Sequence, residues 1–264
     1  MLWLCAASAG GHAQLPHDVP DCEPQIVSVM AAKSEGATRP VAGWQAVILP
    51  DNWSQRWPDY DGTVWYRIDW QPGCVDTDNG DSPVGLVIES IIMAGAVYSE
   101  DTLLWRDRHL QEPLSRSWNS PRYWLLPASH LREGRVLWVR VAGVAAQTPG
   151  LGRVRLGSPE AMLTVMEQGH WRTRTLPFIN LVVSAVLGFL ALFIWLAFRS
   201  QQVFGWYAVT AFCWVLFGVN TLATQAWPFS DTRMVAQANT LAYCLLYTSP
   251  SPRDATLARM PSSA

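Results

Sequence analysis

The sequence lacks every short motif that marks a common enzyme class. It contains no GxSxG nucleophile elbow, no phosphate-binding loop and no HExxH zinc motif, and no spacing of histidine and cysteine predicts a metal site. Basic and acidic residues nearly balance, 19 against 21, so no basic surface favours nucleic acid. We therefore expect no cofactor, no metal and no nucleic-acid partner, and a chain that is not a catalyst by itself.

Carboxylates are present, but their placement does not favour glycoside hydrolysis. That reaction needs two carboxylates held across a sugar. The acidic residues cluster in predicted turns, and no barrel is predicted that would present them at strand ends. These residues are Asp59, Asp61, Asp76, Asp78, Asp81, Glu100 and Asp101. Solvated turn residues are the better interpretation.

Charge is absent from a long apolar run at residues 176–198. A helix needs about 20 apolar residues to cross a bilayer. A second run covers 203–223, and a third begins near Val235 and is cut off. Both complete runs are apolar all round, whereas soluble helices are amphipathic. The pattern predicts the start of a polytopic membrane domain over 176–243; a buried hairpin in a soluble protein is the less favoured alternative.

The first sixteen residues resemble the end of a secretory signal whose basic region is missing. Export would place a domain at residues 20–160 in the periplasm of a bacterium, anchored in the inner membrane. The first span would then run inward, with Arg199 on the cytoplasmic side, as the positive-inside rule prefers. Arg172 and Arg174 on the outer side weaken that rule here.

The chain has five cysteines. Cys5 lies in the signal segment, too early for a lipoprotein site, Cys213 lies in the second span, and Cys244 lies in the last segment. Cys22 and Cys74 remain in the exported domain, where two cysteines most simply form a disulfide.

The last residues do not read as natural protein. Residues 244–254, CLLYTSPSPRD, resemble the conceptual translation of a sequencing-library adapter, and 259–264 are similar to its outer primer. We expect 244–264 to be an artefact and the native protein to continue past Tyr243. The alternative is a natural linker rich in serine and proline after a short third helix.

Short strands separated by turn residues predict a β domain between Gly43 and Gly157. Residues 63–70 alternate with period two, with Val64, Tyr66, Ile68 and Trp70 on one face. Further strands are predicted at 44–49, 84–91, 96–98, 103–105, 123–126, 136–141 and 154–156. Their spacing favours an antiparallel sandwich over βαβ units.

Several of these segments resemble a known domain. LPDNW (49–53) and DGTVWYRIDW (61–70) are similar to the jelly-roll, galactose-binding-like domain of β-galactosidase-type glycoside hydrolases. MAGAVYSEDTLLWRD (93–107) takes the place of a hairpin in such domains, and LWVRVAG (137–143) resembles their closing strand. The resemblance implies a jelly-roll β-sandwich outside the membrane, followed by α-helical transmembrane segments.

The order of these parts resembles bacterial seven-transmembrane receptors with diverse intracellular signalling modules. The segments MAGAVY, EPLSRSWNSPRYW and FGWYA are similar to such receptors from pseudomonads, and the resemblance covers most of residues 20–243. It implies a sensor, commonly of the histidine-kinase type. This chain departs from the family in having fewer than three complete spans and no cytoplasmic effector.

Two segments are candidate ligand sites. In the first, Trp57 and Tyr60 flank a polar turn with Arg56 and Asp59, a combination that suits a sugar because its C–H face stacks on rings while its hydroxyls need partners. The structural alternative is packing of the sandwich and its rim, which we favour for the neighbouring Trp53 and for Trp65.

The second candidate is the loop at 106–122, which has no helix or strand pattern. Arg116 and Arg122, with Trp118 between them, suit a clamp for a carboxylate or phosphate. The alternatives are a solvated loop whose arginines pair with its own acidic residues, or a docking surface toward the membrane domain.

Three functions remain open from the sequence. The leading one is a receptor whose exported domain binds a small ligand, a sugar or a carboxylate being the candidates, and signals through helices in the lipid bilayer; a homodimer is left open. The second is a sugar-binding accessory domain of a membrane-tethered glycoside hydrolase. The third is a docking component for transport or assembly.

Overall fold

The structure is a computed structural model that describes residues 23–73, 83–127, 135–226 and 229–248. The signal segment, both cysteines of the predicted disulfide (Cys22 and Cys74), Trp227 and residues 249–264 lie outside the described residues. The predictions made for those positions therefore stay predictions. Cys213 is free in the second apolar helix.

The described strands form antiparallel sheets. They are β1 (Gln25–Ser34), β2 (Gln45–Ala46), β3 (Asp51–Asn52), β4 (Gly62–Gln71), β5 (Val84–Ile88), β6 (Ile91–Ile92), β7 (Ala94–Ser99), β8 (Thr102–Arg106), β9 (Arg122–Leu126), β10 (Val136–Gly143), β11 (Gly150–Leu151) and β12 (Val154–Gly157). One sheet has the order β2-β1-β4-β10-β7-β8, a second β12-β5-β9, and a third, small one β3-β11-β6.

Strand β4 shows how the sequence specifies the main sheet. Val64, Tyr66, Ile68 and Trp70 are at most 3% exposed, and they point into one core because side chains alternate along a strand. The same core contains inward residues of β10 and β5: Leu137, Val139, Val141, Val84, Leu86 and Ile88. Two sheets thus share one apolar interior, which confirms the predicted β-sandwich.

Strand β1 was not predicted, and two predicted strands are shorter than expected. β1 pairs with β4 over nearly its whole length. The strand expected at 44–49 is limited to β2, and the one at 84–91 divides into β5 and β6. The division occurs at Glu89 and Ser90, whose backbone groups bond to Arg153 O and Gly152 N instead of to a neighbour of β5 in the ladder.

Helix α1 (Pro159–His170) covers the outer face of the β12-β5-β9 sheet. This explains why all of β5 is buried, on both faces. The close approach requires a glycine, since a Cβ on Gly85 would lie 2.8 Å from Met162 Cβ. Ser158 begins the helix, its Oγ accepting from Ala161 N at 3.4 Å.

Three further helices follow: α2 (Leu176–Ala197), α3 (Gln202–Leu222) and α4 (Thr232–Thr248). A π-helical segment, Trp171–Thr175, joins α1 to α2 without a break. The continuous helix Pro159–Ala197 and the helix Gln202–Leu222 are long and apolar enough to cross a membrane. In the most apolar 18-residue stretch of each helix, only 11% is buried within the described protein. α2 and α3 pack as an antiparallel pair through small residues, with Gly188 against Ala211 Cβ.

Candidate functional site

The loop at residues 107–121, here called the junction loop, connects β8 to β9 and is anchored at its base by a buried carboxylate. Asp107 accepts hydrogen bonds from Gly95 N at 2.8 Å and from Ser117 Oγ at 2.6 Å. Burial raises the pKa of Asp107, while the Ser117 hydrogen bond and the charge of Arg122 oppose the rise. The anchor fixes where the loop leaves the sandwich.

Arg122 closes the other end of the junction loop and is used inside the protein. Its guanidinium lies 4.0 Å from the centre of the Trp105 ring and 3.7 Å from the Asp107 carboxylate. Burial lowers the pKa of Arg122 to about 10, although Asp107 counteracts that effect. The predicted ligand role of Arg122 stays untested, but the structure places its side chain against protein groups.

Arg116 binds the carboxyl end of α3. Its Nη1 donates to Asn220 O at 2.9 Å and to Asn220 Oδ1 at 3.1 Å, and its backbone N donates to Thr224 O at 2.8 Å. The last carbonyls of a helix lack partners within the helix and carry the negative end of its dipole. Arg116 is 4% exposed, and burial lowers its pKa. A buried cation therefore caps α3 from the sandwich.

Glu112 does the reverse at the amino end of α4. Its Oε2 accepts from Thr232 Oγ1 at 2.6 Å and from Thr232 N at 3.2 Å. Leu114 N in turn donates to Thr232 Oγ1 at 3.0 Å. A negative charge is favoured at the start of a helix, so the junction loop complements the dipoles of both α3 and α4.

The same loop contacts the π-helical segment that precedes α2. Thr173 Oγ1 donates to Asn119 O at 2.9 Å, and Arg174 Nη1 donates to Ser120 Oγ at 2.9 Å. Trp118, the third residue predicted for this loop, is 37% exposed. Of the alternatives open from the sequence, the docking surface toward the helices is the one that these contacts match.

Two cavities open to solvent, of about 620 and 1000 Å³, border a further contact between the sandwich and α4. That contact is an ion pair between Asp61 and Arg233, both of which line both cavities. A hydrogen bond from Ala145 N lowers the pKa of Asp61, and the contact with Arg233 adds to the effect. Both cavities therefore lie at the contact between the sandwich and the helices.

The first predicted site is held together by a buried carboxylate. Asp51 is 8% exposed and binds Arg56 with two hydrogen bonds, Nη1–Oδ1 at 2.5 Å and Nη2–Oδ2 at 2.8 Å. Tyr66 donates to Asp51 Oδ2 at 2.7 Å, and burial raises the pKa of Tyr66 well above its usual value. The hydrogen bonds that Arg56 donates to Asp51 raise the pKa of Arg56. Arg56 thus fastens the turn to the core.

The two aromatic residues of that turn also face the protein. Trp57 and Tyr60 pack against the main core, and the Tyr60 hydroxyl lies 3.1 Å from Ser34 O and 3.0 Å from Thr63 O. Lys33 Nζ lies 5.0 Å from the Trp57 ring centre and 4.7 Å from that of Tyr60. Asp59 is exposed. Trp53 and Trp65 are 0% and 2% exposed, which agrees with the structural interpretation favoured for them.

Replacing Trp57 and Tyr60 together by alanine is expected to destabilise the sandwich by about 3 kcal/mol, because the core contacts of both rings are lost and so is the single hydrogen bond that the Tyr60 hydroxyl donates to the carbonyls of Ser34 and Thr63. Denaturant unfolding monitored by circular dichroism would measure this loss. A stacking site without structural importance would instead show a nearly unchanged unfolding midpoint in the double variant. The exposed Asp59→Ala change serves as the control.

A third cluster, which the sequence did not single out as a site, lies on the outer face of the six-stranded sheet. Arg39 Cζ lies 4.7 Å from the ring centre of Trp138 and 5.6 Å from those of Trp65 and Tyr98. We call these three rings the outer-face cage. Such a contact contributes about 0.5–2 kcal/mol. Residue alternation already placed Trp65 on this face, but its ring partners come from other strands.

The comparisons with known proteins give partial likenesses only. No protein-family model and no curated protein matches the chain. A glycosyl hydrolase family 2 member from Bacteroides cellulosilyticus is 16% identical over 52% of this chain, with a TM-score of 0.36. The β-glucuronidase of Faecalibacterium prausnitzii is 15% identical over 46%, with a TM-score of 0.30. The matches cover 21% of each of those chains, and we transfer no residue role from either.

Proposed function

We propose that this chain is the amino-terminal part of a membrane signal-transduction receptor. In this proposal the β-sandwich binds a small ligand outside the membrane and the helices carry the signal to a further module, of the sensor-kinase type. The observation that supports it best is the junction loop, which caps the end of α3 with Arg116 and the start of α4 with Glu112.

These caps give a ligand a physical route to the helices. A ligand shifts a conformational equilibrium only if it binds the two conformations unequally. The junction loop starts and ends in sandwich strands, so a change in the sandwich moves the loop. Because charged side chains of the loop, the buried Arg116 and the exposed Glu112, bind helix ends, such a movement changes the energy of the helix arrangement.

The arrangement of the helices fits a membrane with the sandwich on one side. α2 leaves the sandwich and α3 returns to it, since Arg174 and Asn220 both contact the junction loop. Exposed tryptophans lie at the two ends of the pair, Trp171 near the sandwich and Trp206 at the far end. Such rings favour the interfaces of a bilayer.

The ligand proposed from the sequence is a sugar or a carboxylate. A sugar-binding accessory domain of a membrane-tethered hydrolase remains the second proposal. It does not account for the helix caps, which an accessory domain does not require.

Cysteine labelling in intact bacteria tests the topology. Val41 is 98% exposed on the sandwich, and Ser200 lies in the exposed turn between α2 and α3. With the native cysteines replaced by serine, a membrane-impermeant maleimide is expected to label a Val41→Cys chain in intact cells and a Ser200→Cys chain only after lysis. Labelling of both in intact cells, or recovery of the chain in the soluble fraction, would contradict the proposal.

A further inference from the structure

The outer-face cage holds a guanidinium from the protein itself. We infer that the cage is a binding site for a cationic ligand with N–H donors, such as a guanidinium or alkylammonium compound, and that Arg39 is its tethered occupant. The inference rests on the proposed role of the sandwich as a ligand-binding domain and goes beyond it, since a cation is a different ligand from the sugar or carboxylate proposed from the sequence.

The groups that contact the Arg39 guanidinium indicate which ligands the cage can bind. The faces of three rings attract a cation. Two acceptors complete the cage: Arg39 Nη1 donates to Asp101 Oδ1 at 2.6 Å, and Nη2 donates to Glu100 O at 2.5 Å. A ligand with a charged N–H group can lie over the same rings and donate to the same two acceptors. A neutral sugar would leave the Asp101 carboxylate without its cation.

The cage is accessible from solvent on the side where the acceptors lie. The Asp101 side chain is 95% exposed and that of Arg39 is 29% exposed. An ion pair this exposed is weak, because water screens it and fixing the two side chains has an entropic cost. A cationic ligand that displaces Arg39 would therefore break only a weak ion pair and would form an equivalent one with Asp101.

Two other arginines face the cage, and they must be compatible with a second cation. Arg67 Cζ lies 5.8 Å from the Trp138 ring centre, and its charge is paired with Asp69 at 3.0 Å. Arg140 is opposite Trp65 in the strand register, and burial lowers its pKa. Arg39 occupies the cage with both arginines present, so a ligand cation meets the same surroundings.

The segment that carries Arg39 has two glycines at which its backbone can change conformation. It connects β1 to β2, and two glycines with positive φ, Gly36 at 97° and Gly43 at 84°, flank it. No heavy atom lies within 4 Å of a Cβ position at either glycine. Val41 between them is almost fully exposed. A hydrogen bond from Ser34 Oγ to Thr38 O and the contact of the Trp44 ring with Trp138 hold the segment besides Arg39 itself, and the glycines make the required backbone changes accessible.

Calorimetric titration of the full chain in lipid nanodiscs with agmatine, a small compound with a guanidinium and an amine, tests the inference. The Arg39→Ala chain is expected to bind agmatine at least about tenfold more tightly than the unaltered chain, because a competitor at high effective concentration is removed. Adding Trp138→Ala or Asp101→Asn to Arg39→Ala should lower the affinity again. Lys33→Ala, which removes a cation from another aromatic pair, should have no effect.

The inference is overturned if an Arg39→Ala chain with an unchanged circular dichroism spectrum fails to bind agmatine, or binds glucose or glucuronate in its place. Arg39→Gln replaces the alanine variant if that variant does not fold, and the same outcomes apply. If agmatine does not bind, the proposed function still stands provided that the cysteine labelling shows the expected topology and that Arg116 and Asn220 are energetically coupled, as tested in the Discussion. Loss of those two would remove the receptor proposal while leaving agmatine binding to stand alone.

Discussion

An Arg116→Ala chain is expected to lose about 2–3 kcal/mol of stability. The guanidinium makes two hydrogen bonds to Asn220 in a buried position, and hydrogen bonds that involve a charged group contribute about 1.5–3 kcal/mol each. Relief of the buried charge offsets part of the loss. For a domain of this size the midpoint of thermal unfolding should fall by about 5–10 °C, measured in detergent or nanodiscs.

Arg108 is the matched control for this variant. It lies in the same loop but is exposed, so Arg108→Ala should change the midpoint by no more than about 1–2 °C. Equal and small effects of both changes would mean that Arg116 contributes nothing to the junction. Equal and large effects would indicate that any change in the loop disturbs the sandwich.

Replacing Asp51 by alanine is expected to destabilise the sandwich by about 2–4 kcal/mol. The carboxylate accepts from both Arg56 and Tyr66, and its removal leaves a cation and a buried hydroxyl without their partner. The side chain of Arg56 is 25% exposed, so water compensates part of the loss. Denaturant unfolding followed by circular dichroism measures the effect.

The double variant Asp51→Ala, Arg56→Ala provides the check on this explanation. Because the second change removes the unpaired cation, the double variant should be less destabilised than the sum of the two single variants. Strict additivity would show that Asp51 and Arg56 act independently, and the account of the turn would then be wrong.

The sandwich could be predicted where one face of a strand carries a regular apolar pattern. In β4 the alternation of Val64, Tyr66 and Ile68 with Trp65, Arg67 and Asp69 predicted the strand and the face that enters the main core, as observed. β1 was missed for a physical reason. Its register shifts between Ile26 and Ser28, and such a bulge interrupts the period-two pattern that identifies a strand.

The site could be predicted less well than the fold, since its contacts join segments far apart in the sequence. The junction loop was recognised as an arginine-rich loop, yet the partner of Arg116 is Asn220, 104 residues away. The outer-face cage likewise consists of rings from three strands, and Arg39, which lies over them, comes from a connecting segment. Composition gave the residue types, whereas strand register and helix packing decide which of them meet.

The coupling energy between Arg116 and Asn220 tests the central claim most directly, because these residues join the sandwich to the helices. It is obtained from the unfolding free energies of the unaltered chain, Arg116→Ala, Asn220→Ala and the double variant, all in the same nanodiscs. The account predicts a coupling of about 1 kcal/mol or more. A coupling of zero within error would contradict a mechanical connection through the junction loop. It would also contradict the proposed route by which ligand binding to the sandwich changes the helices.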